Sequence, residues 1–176
     1  RQLDPSGLKP SCSAASTAWP APEADVVRLQ LGADGLSFSL APGSKPLPSG
    51  AVLTGVEPGK ASGLPCRLHA SVAGPQLQIA LAAGVRLRLE LWLQPEVANS
   101  LLAPRLRFLL AENAEMELAL RISSTASSLC LPWIEADLAA GAKLVEGQWL
   151  QGDEGAVLMA GSCLLYTSDA ADEIVR

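Results

Sequence analysis

The sequence predicts an all-β chain, a β-solenoid fragment with rungs of about 28–29 residues behind a loop-rich lead-in that contains a hairpin. Three observations carry that expectation. The first is repetition: residues 75–87 read PQLQIALAAGVRL, 104–116 read PRLRFLLAENAEM and 132–144 read PWIEADLAAGAKL. The copies open on Pro75, Pro104 and Pro132, 29 and then 28 residues apart, and each carries Gly84, Asn113 or Gly141 nine positions on. The second is alternation of apolar residues, the period of a strand and not of a helix. The third is charge. With equivalent positions stacked, Arg86 meets Glu115 and then Lys143, Arg88 meets Glu117, and Arg107 meets Glu135. Opposite charges on neighbouring strands favour that register. The plainer alternative is a Leu/Ala-rich antiparallel sheet with a chance pattern.

Each copy supplies two strands. In the first strand Leu77, Ile79 and Leu81 share a face, as do Leu106, Phe108 and Leu110, then Ile134, Ala136 and Leu138. The Gly or Asn follows, where a turn needs a residue tolerant of positive φ. The second strand carries Leu87, Leu89, Leu91 and Leu93, then Met116, Leu118, Leu120 and Ile122. In the third copy this run decays to Leu144, Glu146 and Gln148. Each proline precedes a strand, where it removes no ladder hydrogen bond.

The remaining chain divides around this core. Residues 1–25 are rich in Pro, Ser and Ala without a period and read as a connector from a missing N-terminal region. Residues 26–65 form the lead-in: VVRLQL (26–31) and LSFSL (36–40) flank GADG, a hairpin signal, and AVLTGV (51–56) is a short strand between loops. From Cys66 a strand-like RLHASV leads into the repeats, so the solenoid core is expected over 66–162, truncated on its C-terminal side. Residues 163–176 begin CLLYTSDAADE, which reads as the translation of a transposase-based sequencing adapter. That tail is not natural on this reading, and it is expected to be disordered or opportunistically placed.

Composition narrows the function classes. The chain has 176 residues, 49% of them hydrophobic but only 4% aromatic, so aliphatic side chains must fill the core. Net charge is −5, which argues against nucleic-acid or anionic-membrane partners. No run of apolar residues is long enough for a membrane-spanning helix. Outside the tail, Cys12, Cys66 and Cys130 are scattered and form no CxxC. A sparse, odd count suits a reducing compartment, and a cytoplasmic location is expected.

No candidate catalytic, cofactor-binding or metal residue emerges. His69, the single histidine, sits in an alternating run with no partner acid or thiol in sight and reads as structural. Glu135 and Asp137 face the same way, as paired acid–base carboxylates would, but the ladder makes theirs a solvated outer face. GADG and PGSKPLPSG do not lie between a strand and a helix, so neither is a phosphate loop. Trp92 and Trp133 fall on outward positions, a hint of a protein contact or a covering segment.

Four stretches carry a family resemblance: RLQLGADGLSFSL…PLPSGAVL (28–53), LQIALAAGVRLRLEL (77–91), PRLRFLLAENAEMELAL (104–120) and PWIEADLAAGAKLVEGQWLQGDEGAVLMA (132–160). Through them the chain resembles the SufB/SufD family of iron–sulfur cluster assembly scaffolds, on its SufD side. The resemblance implies a right-handed parallel β-helix core between helical terminal regions. It implies a non-catalytic subunit working with a SufB-like subunit, through β-helix pairing, and with a SufC-like ATPase, through a missing C-terminal region. The cluster would be assembled at the level of that complex, with no cofactor in this fragment. The family's functional histidine and docking helices would lie beyond Gly161, so no site residue carries over. Two alternatives stand beside it: a urease accessory protein of the D type, which is a nickel-delivery scaffold, and a β-helix carbohydrate-active enzyme.

Overall fold

A computed structural model describes residues 9–10, 24–31, 38–54, 76–94, 100–124, 127–158 and 160–166. Fourteen strands and no helix lie among them. The lead-in holds β1 (Lys9–Pro10), β2 (Val27–Leu31), β3 (Phe38–Leu40) and β4 (Ala51–Thr54). The first copy holds β5 (Gln76–Leu81), β6 (Arg86–Leu93) and β7 (Ser100–Leu102). The second holds β8 (Arg105–Leu110), β9 (Glu115–Ser124) and β10 (Leu129–Cys130). The third holds β11 (Trp133–Leu138), β12 (Lys143–Gly152) and β13 (Val157–Leu158), and β14 (Gly161–Tyr166) follows. Each copy therefore has three strands where the sequence predicts two. The third is only two or three residues long, too short to show a period.

Three mostly parallel sheets result. The first runs β14-β11-β8-β5-β4, the second β12-β9-β6-β2-β3 and the third β1-β7-β10-β13. From β5 onward, successive strands go to the first, second and third sheet in turn. The predicted register holds: Arg86 pairs with Glu115 and Glu115 with Lys143, Arg88 with Glu117, and Arg107 with Glu135. Only β3 and β4 pair antiparallel, each at one edge of its sheet. The predicted hairpin is present with β2 facing β3, while its GADG turn lies outside the described residues, as do His69, Cys12 and Cys66. Lys9–Pro10, inside the expected connector, pairs with β7. Residues 163–166 of the expected foreign tail lie in β14, which pairs with β11 along its length. Joining a sheet edge asks only for extended backbone groups.

The alternating aliphatics fill the space between the sheets. Leu77, Ile79, Leu81, Leu106, Phe108, Leu110, Ile134, Ala136 and Leu138 are buried from the first sheet, and Leu87 to Leu93 and Met116 to Ile122 contribute every second residue from the second. Leu102 and Cys130 close the third side. Burying each such side chain is worth roughly 1.5–3 kcal/mol. The register also matches sizes, since Phe108 stacks between Ile79 and the small Ala136. The decayed third copy still forms a ten-residue strand, β12, whose inward Leu144 and Glu146 are only partly covered and Gln148 and Leu150 exposed.

The turns between the first two strands of each copy stack as well. Val85, Ala114 and Ala142 each donate their N–H to the carbonyl three residues earlier. Gly84, Asn113 and Gly141 have φ of 69°, 56° and 66°, the conformation the sequence pattern requires. Gly84 N–H donates to Glu112 O and Asn113 N–H to Ala140 O, which ties each turn to the next.

Candidate functional site

The second sheet turns its alternate residues outward, and the register sorts them into columns that cross the strands. One column runs Arg86, Glu115, Lys143; the next Arg88, Glu117, Val145. A third runs Arg28, Glu90, Ala119, Gly147, and a fourth Gln30, Trp92, Arg121, Trp149. The small side chains of Ala119 and Gly147 leave a depression between their neighbours. It is a groove of about 580 Å³, walled by Glu117 and Val145 on one side and Arg121 and Trp149 on the other, and ending at Glu90. That volume lies within the range of ordinary ligand pockets.

Glu90 is an outward residue that is nevertheless buried. Its Oε2 accepts from Arg28 Nε and Nη2, both at 2.7 Å, and its Oε1 accepts from Arg121 Nε at 2.5 Å. Arg28 arrives on β2, stacks directly on Glu90 and covers it, with side-chain exposures of 7% and 8%. Burial works against the charged carboxylate, but the hydrogen bonds from Arg121 and Arg28 outweigh it and hold Glu90 below the usual glutamate range. The Arg121 guanidinium lies 5.4 Å from the Trp92 ring centre and 4.8 Å from that of Trp149, and Arg28 lies 4.8 Å from Trp92. Each such contact adds cation–π attraction of about 0.5–1 kcal/mol or more.

The outer face of the first sheet differs from expectation in one respect. Arg107 and Glu135 are register partners, yet the side chains lean one step along the strand. Arg105 Nη2 contacts Glu135 at 2.9 Å and Arg107 Nη2 contacts Asp137 at 2.8 Å. The Trp133 indole also donates to Glu135 Oε1 at 3.2 Å. Glu135 and Asp137 do share an outward face, but each is spent on an arginine and neither is a free acid–base group. Trp92 and Trp133 lie outward as expected. Cys130 is buried, and burial alone pushes its thiol up to about 12, so it is no nucleophile at neutral pH.

Sequence reasoning missed this groove. Its signal was present as Ala119 and Gly147 facing the same way beside the two tryptophans, but only the register puts them side by side. The groove offers a guanidinium, carboxylates and indole faces, which is equipment for recognition. Among the described residues no group of three or more His, Cys, Asp or Glu could hold a metal ion, and no helix is long and apolar enough to cross a membrane. Comparison with protein-family models, with curated proteins and with solved structures gave no match.

Proposed function

We propose that the chain is a segment of a non-catalytic, SufD-like scaffold subunit of iron–sulfur cluster assembly, with a right-handed parallel β-helix as its core. The observation that carries the reading is the parallel pairing of residues one period apart, as in Arg86, Glu115 and Lys143, repeated through three mostly parallel sheets. A β-helix of the kind the family resemblance implies requires that register. The four resembling stretches fall largely on the paired strands. The outer faces carry ion-pair ladders and a groove suited to contacts, in keeping with a scaffold whose work is holding partners. The cluster is then the cargo of the assembled complex, and the cytoplasm is its location.

The test is co-expression of the gene product containing this chain with a SufB-like protein and a SufC-like ATPase. The expected outcome is one complex that retains all three through affinity and size-exclusion steps. Independently, the chain of 176 residues incubated anaerobically with iron and sulfide should show no visible absorption after desalting. A stable brown cluster that is lost on Cys66→Ser or Cys130→Ser makes the chain a cluster-binding domain and overturns the scaffold reading.

A further inference from the structure

We propose that the groove on the second sheet binds an extended acidic peptide segment of a partner protein, with one Asp or Glu side chain seated on Arg121. The charge pattern leads there. Elsewhere on these outer faces each arginine has a carboxylate: Arg86 has Glu115, Arg88 has Asp25 and Glu117, Arg105 has Glu135, and Arg107 has Asp137. Glu90 instead serves two guanidinium groups, Arg28 and Arg121. Two cations on one anion leave one guanidinium with only a shared carboxylate. The one open to a further partner is Arg121, whose side chain is 42% exposed while Arg28 is buried.

The geometry presents that charge ready for use. Arg121 Cζ lies over the rings of both Trp92 and Trp149, from the two neighbouring strands, and Nε is engaged by Glu90. Among the described residues no second carboxylate lies within ion-pair reach of it, so the terminal amino edge is left as a donor fork. Such a fork matches a carboxylate in two parallel hydrogen bonds. The Nε contact and the two indoles hold the side chain in place before binding, so less freedom is lost on contact.

The surroundings select the ligand. Glu117 on the rim disfavours a dianion, whereas Arg121, which shares its one carboxylate with Arg28, has room for a single further carboxylate. Val145 and Trp149, 64% and 52% exposed, offer apolar surface beside the fork, as the centre of a protein contact does. The floor of Ala119 and Gly147 runs across strands spaced about 4.8 Å apart, so the groove accepts roughly three or four residues of extended chain. A net charge of −5 disfavours a polyanion such as nucleic acid. The site stands on the groove alone, so failure to form a SufB-like complex leaves it intact.

The full chain titrated with acetyl-Ala-Leu-Glu-Leu-Ala-amide tests this, read by NMR at the indole N–H signals of Trp92 and Trp149. Both signals should move in a saturable way, and the Gln analogue should bind about tenfold more weakly or worse. Ala119→Leu, which fills the floor without touching a charge, should abolish saturation while its circular dichroism stays that of the parent. Arg121→Gln should equalise the Glu and Gln peptides. Equal effects of the two peptides on the parent chain, or unmoved indole signals, overturn the proposal. Tighter binding of inorganic phosphate than of the Glu peptide overturns it too, by replacing the carboxylate with a dianion.

Discussion

Replacing Glu90 by Gln removes a single charge and leaves the shape of the site nearly unchanged. Arg28 then keeps its positive charge in a position where only 7% of its side chain meets water. Removing one partner of a buried ion pair costs about 3–5 kcal/mol, because the remaining charge loses its carboxylate while staying out of water. The Gln amide oxygen can still accept one hydrogen bond from Arg28, and Arg121 is half in water, so the lower end applies, about 3 kcal/mol. For a chain of this size that is a fall of roughly 6–12 °C in melting temperature. The pH dependence has a definite sign. Glu90 has a lowered pKa in the folded chain, so its contribution is complete above the unfolded value of about 4.3 and is lost as pH falls through the lower, folded one. The gap between parent and Glu90→Gln should be widest near neutral pH and close in acid, where the parent carboxyl is itself neutral. Thermal melts followed by circular dichroism at pH 7 and in acid measure both. Glu115→Gln, at an exposed pair, should cost no more than about 1 kcal/mol at either pH. A gap under about 1 kcal/mol at neutral pH, or one that stays constant into acid, would refute the reasoning.

Two further outcomes follow from the turns and the buried thiol. Gly141→Ala should lower the urea midpoint more than Gly84→Ala. Both force Ala to positive φ at a cost of roughly 1–2 kcal/mol, but a Cβ at Gly141 also meets the Asn113 side chain whereas one at Gly84 meets nothing; equal midpoints would contradict the stacked turns. Cys130 should resist iodoacetamide at pH 8 in the native chain and react once urea unfolds it, as read by peptide mapping; rapid native alkylation would place that thiol at the surface.

Much of the fold was legible because its determinants are local. Alternation in QLQIAL, RLRFLL and WIEADL puts Leu77, Phe108 and Ile134 inward whatever the strands pair with, since the pleat alone decides the face. Gly84, Asn113 and Gly141 mark turns because positive φ is a property of single residues. Register followed from the 28- and 29-residue spacing together with the signs of Arg86, Glu115 and Lys143. What the strands do sideways was not legible. The two-residue β10 and β13 have no period to detect, and the third sheet becomes visible only in the pairing of such short strands with β7 and with each other. Arg107 reaches Asp137 and not its register partner Glu135, because a long side chain leans along the strand by an amount that packing sets. Glu90 is buried only because β2 lays Arg28 on it from 62 residues upstream in the chain, a contact that no local pattern announces. The groove has the same origin: Ala119 and Gly147 are unremarkable small residues in sequence, and only tertiary pairing sets them side by side, next to a guanidinium flanked by two indoles.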